Sequence, residues 1–248
     1  MMQRLLSLFA LAFIIASCQF TETMVLNEDG SGTIAVEVNM NEMMAFGGAA
    51  VTDSMIVKMD TIVYMKQFLE ERKDSIAKLS ASNQEKLKKF ENFNIHMKMD
   101  TETSEMVYDI STNFKNISEA NDISNGLEQA ENLMPTMDSN SQQTPKEEDS
   151  PEVIGVNYSF KKGVFKRDAY IKDEKIHQQQ VDSMKQAEAF MGGSNYTLNY
   201  TFPKKIKKTS NPEATFSEDK KTVTVQSPFM EYFKNPDLLD LEVELENN

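Results

Sequence analysis

The side chains able to carry chemistry are few in kind. The 248 residues include 17 methionines, 2 histidines, a single cysteine and no tryptophan, against 39 aspartates and glutamates. Thioethers are soft ligands suited to Cu(I), and His96-Met97-Lys98-Met99 is the stretch where such a site would be sought. The twofold period of a strand separates its members, however. His96 points one way, while Met97 and Met99 fall with Phe93 and Ile95 on an apolar face. The methionines therefore read as flexible fillers of a core, and no metal site is expected. His177 lies early in a polar helical stretch and reads as a surface residue. Hydrolytic chemistry fares no better, because Gly-x-Ser-x-Gly, His-Glu-x-x-His and phosphate-loop patterns are all missing. No carboxylate pair stands out from the solvated charge as an acid–base couple. The expectation is a protein without catalytic residues or cofactor, not an enzyme.

Two stretches suit contact instead of catalysis. Met43, Met44, Phe46 and Val51 lie in an apolar segment without period, interrupted by Gly47-Gly48. It either packs under a sheet or meets a ligand or a membrane. Lys204, Lys205, Lys207 and Lys208 form the main basic cluster of a chain whose net charge is −13. They either meet an anionic partner or keep a strand edge from pairing with neighbours, the second being favoured. The acidic balance repels nucleic acid, so no role on DNA or RNA is expected.

The elements that must position these residues are legible as patterns. Hydrophobic residues make up 40% of the chain, enough for a packed core. Ile34, Val36, Val38 and Met40 alternate with polar residues after the turn Asn27-Glu28-Asp29-Gly30-Ser31-Gly32, as in a half-buried antiparallel strand. Phe93 to Asp100, Met106 to Ile110 and Ile154 to Phe160 alternate likewise, as does Tyr196-Leu198-Tyr200-Phe202, which ends at Pro203. Phe165, Ala169 and Ile171 mark a returning strand after the turn at Lys161-Lys162-Gly163. A period near 3.6 begins at Thr61 and predicts a helix through Met65, Leu69 and Ile76. Ser82 with Glu85 resembles a capping box, and Ser118 is placed as the cap of a further helix. Residues 135–152 are rich in Ser, Gln and Pro with an acidic run, and read as a linker or disordered loop. It separates a first hairpin–helix lobe, 18–134, from a second, 153–248, the two possibly sharing one sheet. The expected class is α+β: an antiparallel sheet of hairpins with helices packed on one face.

The amino terminus completes the pattern. A basic start at Arg4, an apolar run from Leu5 to Ile15 too short to span a bilayer, and small residues before Cys18 read as an export signal. Ile15-Ala16-Ser17-Cys18 resembles the lipobox of bacterial lipoproteins. That resemblance implies cleavage of residues 1–17 as a signal peptide and acylation of Cys18, the membrane anchor. Lys73-Asp74-Ser75-Ile76-Ala77-Lys78-Leu79 followed by Glu85-Lys86-Leu87-Lys88-Lys89 looks like a group of uncharacterised Bacteroidota lipoproteins. More distantly, Asp29-Gly30-Ser31-Gly32 and Tyr196 to Pro203 are similar to the LppM-type lipoprotein domain, which would imply a lipid-handling α/β fold. Gln19, not Asp, follows the cysteine, and Phe20-Thr21-Glu22-Thr23 lacks a tight acidic run. In that family context these residues imply a periplasm-facing place on the outer membrane. The expected function is that of a non-enzymatic interaction or structural module of the cell envelope with a protein partner. The alternative is a carrier of a lipid or other apolar ligand, for which an enclosed apolar cavity would speak.

Overall fold

The computed structural model describes residues 18–45, 58–78, 80–121, 123, 153–185 and 191–247. In chain order these form β1 (Gln19–Leu26), β2 (Gly32–Asn39), β3 (Lys58–Tyr64), α1 (Met65–Glu71), α2 (Lys73–Ile76), α3 (Ala81–Lys89), β4 (Phe93–Asp100) and β5 (Glu105–Phe114). After residues 135–152, which lie outside the described part, come β6 (Ile154–Lys161), β7 (Val164–Ile171), α4 (Glu174–Met184), β8 (Asn195–Thr201) and β9 (Ile206–Thr209). The chain ends with β10 (Thr215–Phe216), β11 (Thr222–Pro228), α5 (Phe229–Lys234) and β12 (Leu241–Leu245). Short 3₁₀ turns occupy Ile117–Ala120 and Pro236–Leu239.

Strands outnumber helices, and they make two sheets. The long one has eight strands in the order β10-β11-β8-β1-β2-β5-β4-β3; the short one has four, β6-β7-β12-β9. All pairings are antiparallel except one. β1 and β8 run parallel, Gln19 beside Asn195 through Val25 beside Thr201. The long sheet thus joins strands from both sides of residues 135–152, as the strand patterns left open. Alternation aims one face of each sheet inward. Met24, Ile34, Val36, Ile110, Leu198 and Val225 from the long sheet and Val156, Phe165, Ala169 and Val243 from the short one belong to a single apolar core. Phe165 is wholly buried and meets Tyr200 and Phe202 edge-on, with ring centroids 5.4 and 5.3 Å apart. Burial of such a side chain contributes about 1.5–3 kcal/mol.

Several expectations need correction. Thr61 to Tyr64 belong to β3, not to a helix, because Thr61-Ile62-Val63 is a β-branched run that pairs with Met97, His96 and Ile95 of β4. The helix starts at Met65. Ser82 lies inside α3 instead of capping it. Asn116, not Ser118, is the cap of the following 3₁₀ turn: its Oδ1 accepts from the Ser118 N–H at 3.0 Å. The turns fall where expected but are tighter, since Gly32 already begins β2 and Lys161 still belongs to β6. Gly30 has φ +81°, and Lys162 and Gly163, at +53° and +76°, make the two-residue hairpin turn between β6 and β7.

Candidate functional site

The densest chemistry in the molecule is a hub sealed between the two sheets. Its members come from inward positions of strands whose other inward residues are apolar: Glu22 beside Met24 on β1, Arg167 between Phe165 and Ala169 on β7. Glu22 is 0% and Arg167 2% exposed. The Tyr196 hydroxyl donates to Glu22 Oε2 at 2.9 Å, and the Tyr158 and Tyr200 hydroxyls both donate to Oε1. Arg167 Nη2 reaches Oε2 at 3.4 Å and donates to the Tyr232 hydroxyl at 3.2 Å, while Nη1 donates to the Leu239 carbonyl at 3.1 Å. The guanidinium also lies 5.7 Å from the Tyr232 ring centroid. Its Nε has no hydrogen-bond partner.

The electrostatics follow from burial. Loss of water, then the Glu22 charge, pushes the Tyr158 and Tyr200 hydroxyls well above the ordinary tyrosine range. Burial raises Tyr232 as well, with Arg167 pulling the other way. For Arg167 itself burial opposes the charge, and Glu22 with the ring of hydroxyls outweighs it, so the guanidinium stays protonated. The Tyr158, Tyr196 and Tyr200 hydroxyls and Arg167 Nη2 all meet the Glu22 carboxylate, and every member of the cluster is buried. The hub can clamp the two sheets together.

An accessible feature among the described residues is a cleft of about 620 Å³ at one end of the two sheets. The β1–β2 turn, the β6–β7 turn, the loop after β8 and the chain beyond β12 converge there. Glu28, Lys162, Lys204 and Glu246 rim it, over Phe160 and Leu245. Its walls are held locally. Asp29 Oδ1 accepts from the Ser31 N–H at 3.0 Å and from the Ser31 hydroxyl at 2.6 Å, which lowers the Asp29 pKa and fixes the first turn. The cleft is open, with charged groups of both signs, and among the described residues neither Lys162 nor Lys204 is ion-paired. It can hold a charged segment of a partner by its rim and an apolar side chain at its floor.

The predicted contact residues divide between places. Of the four lysines only Lys204 lines the cleft. Lys207 and Lys208 lie on β9, an edge strand, where Lys207 pairs with Glu244. Met43 is 43% exposed and Met44 half-buried; Phe46 and Val51 lie outside the described residues. Met43 follows the Asn39 end of β2, beside Gln19, whereas Lys204 follows the Thr201 end of β8, beside Val25. At about 3.3 Å per residue the two groups sit roughly 20 Å apart along the strands, so they do not form one site. Cys18 is buried at the Met43 end. Its N–H donates to Ser194 Oγ at 2.9 Å, and burial, then Glu42, pushes its thiol pKa up.

The histidines serve structure. His96 Nε2 sits 2.7 Å from Asp60 Oδ1 across β3 and β4. His177, expected at the surface, is 5% exposed. Its Nε2 lies 2.7 Å from the Phe233 carbonyl and its ring packs on that of Phe233, because α4 turns its His177–Val181 stripe toward α5. No group of three or more His, Cys, Asp or Glu side chains able to hold a metal occurs among the described residues. No helix among them is long and apolar enough to cross a membrane.

Sequence reasoning passed over Glu22 and Arg167. The local part of the signal is a lone acid and a lone base, each at an inward position of an otherwise apolar strand face; their pairing is not local. No family model, curated protein or solved structure matches the chain.

Proposed function

We propose that this chain is a lipid-anchored, non-enzymatic interaction module of the cell envelope. It would hold the end cleft away from the bilayer, facing the periplasm from the outer membrane, for a protein partner. The reading rests on one observation: Cys18 lies at one end of β1 and the cleft at the other. β1 begins at Gln19, the residue after Cys18, so acylation there leaves no slack between lipid and fold. The eight residues of β1, at about 3.3 Å each, set the cleft roughly 25 Å from the anchor. Lys204 would then face a soluble partner and not the lipid headgroups. The resemblance of Ile15-Ala16-Ser17-Cys18 to a lipobox supports the anchor itself. The carrier reading is less well supported, since the cleft is open and rimmed with charge and the centre of the sandwich is filled by the hub. In the same reading helices cover one face of the long sheet, because Met65 of α1 joins the core with Phe93 and Ile95.

Two measurements test this. The full chain is expected to pellet with membranes and to show, from Cys18 onward, a mass exceeding that of the polypeptide by acyl groups. Cys18→Ser should release it; a Cys18→Ser product still held in the envelope overturns the anchor. A photoreactive residue in place of Lys204 should capture a protein in intact cells, and one in place of Thr23, on the outer face of the long sheet, should not.

A further inference from the structure

The strand register lines up apolar residues beside the anchor cysteine. β1 and β2 pair as far as Gln19 opposite Asn39, and the same register carried one residue further sets Cys18 across from Met40. The Met40 N–H donates to the Met106 carbonyl at 2.8 Å, in step with Asn39 opposite Val107. Met106 stands opposite Met99, and Met99 opposite Met59. Cys18 and four methionines thus mark one end of five neighbouring strands. With strands about 4.8 Å apart, the backbone of Met40 lies roughly 5 Å and that of Met106 roughly 10 Å from Cys18.

The apolar face of the long sheet loses cover toward this end. Val36, Ile110 and Ile95 stand side by side and are 1%, 0% and 4% exposed. Two residues nearer the end, Val38, Tyr108 and Met97 are half-buried, and so are Met40, Met106, Met99 and Met59 beyond them. Met99, expected in the core with Met97, therefore lies at the open end of that face. The chain after β2 extends it. The Met44 N–H donates to the Met40 carbonyl at 2.9 Å, and the helical turn so formed leaves Met43 43% exposed. Asn41 ties this turn to β5, its Oδ1 accepting from the Met106 N–H at 2.8 Å. Charges at the same strand ends are offset in pairs, Lys58 with Asp100 at 3.1 Å and Lys98 with Glu105 at 2.7 Å. Filling gaps in a core is the ordinary use of methionine, and meeting a changeable apolar partner is the other. An exposed Met43 beside a half-buried row fits the second.

We infer that Met40, Met43 and Met106 seat the Cys18 end of the long sheet in the bilayer interface, against lipid. The inference rests on the anchor proposed above. Cys18 joins β1 directly, so residues about 5–10 Å from it are held at the depth of the headgroup layer, which is itself about 5–7 Å thick on each side. The sheet twists by about 20–25° per strand. Met99 and Met59, three and four strands from Cys18, therefore turn away from the plane that the near end meets.

The test uses the acylated chain in phosphatidylcholine vesicles. Acylation occupies the only cysteine, so Met43→Cys supplies the sole free thiol for a nitroxide label. Collisions of the label with oxygen, which dissolves in the bilayer, are compared with collisions with a water-soluble nickel complex. The oxygen-to-nickel ratio is expected to be several-fold higher for Met43→Cys than for Thr23→Cys, an exposed position further along β1. Met59→Cys should fall between them, all three with the circular dichroism of the parent. Equal ratios at positions 43 and 23 in vesicle-bound chain would overturn the seat and leave the anchor standing. A ratio highest for Met59→Cys would overturn it as well, because the sheet would then rest on its β3 edge. A label on Cys18 itself, in chain that stays free of the vesicles, would overturn the anchor and the seat together.

Discussion

The hub and the cleft are opposites. The hub gathers a carboxylate, a guanidinium and four tyrosine hydroxyls around one point, all sealed from water. The cleft has a sparse rim of oppositely charged side chains over Ile117, Phe160, Pro203 and Leu245. Density of ionisable groups alone would select the hub as the active centre. Access reverses the choice: a donor already committed to Glu22 has nothing to offer a ligand, while Lys162 and Lys204 hold no carboxylate among the described residues. The hub spends its polarity on joining two sheets, and the cleft keeps its polarity for something else.

That contrast breaks most easily at Arg167. Truncating one partner of a buried ion pair leaves the other charge without compensation and costs about 3–5 kcal/mol. Arg167→Met should therefore lower the unfolding free energy by that amount, read from urea denaturation. Glu22→Leu combined with Arg167→Met removes both charges, and the double variant should recover much of the loss. If Arg167→Met were as stable as the parent, the hub would not be the clamp described here.

A smaller effect is expected in alkali. The Tyr158 and Tyr200 hydroxyls have folded pKa values raised by burial and by Glu22, whereas in the unfolded chain they titrate near 10. Their contribution is fully present below that unfolded value and is lost as pH rises toward the folded one. Above pH 10 stability should fall by about 1.4 kcal/mol per pH unit for each of the two. Because the chain has no tryptophan, tyrosinate absorbance reports them cleanly. The expected result is that these two ionise only together with the loss of the far-ultraviolet dichroism signal. Titration of all tyrosines before unfolding would show the hub open to water and erase its difference from the cleft.

Local pattern made much of this fold readable, and long-range pairing made the rest unreadable. Tyr196-Leu198-Tyr200, Phe93-Ile95 and the Lys162-Gly163 turn are short-range statements, and each appears where alternation and turn chemistry put it. The parallel partnership of β1 with β8 joins residues some 170 positions apart, by Gln19 beside Asn195, and no periodicity carries that information. The same gap hides the hub. Glu22 looks like one more acid in an acidic chain until Tyr158, Arg167 and Tyr200 are brought to it from three other strands. It also hides the cleft, whose rim comes from four separate loops, of which only Lys204 drew attention through its basic neighbours. His177 went astray for a related reason: the polar helix around it is amphipathic against α5, a contact that sequence spacing does not contain.

The smallest effect on stability, and the most informative for function, is expected at the cleft. Lys162 is exposed and Lys204 half-buried, and neither holds a carboxylate among the described residues. Reversing both, Lys162→Glu with Lys204→Glu, removes no clamp and creates no cavity. Surface changes of this kind usually stay within about 0.5 kcal/mol each. The melting temperature should hardly move, while the cleft, its two lysines now acids beside Glu28, Asp29 and Glu246, should repel an anionic partner segment. Photocapture from a neighbouring rim position, Glu246, should then be lost in a protein as stable as its parent. Loss of both stability and capture would make the cleft a second structural element like the hub. Retention of both would mean that the partner reads a different surface, and that open polar groups are as silent here as buried ones.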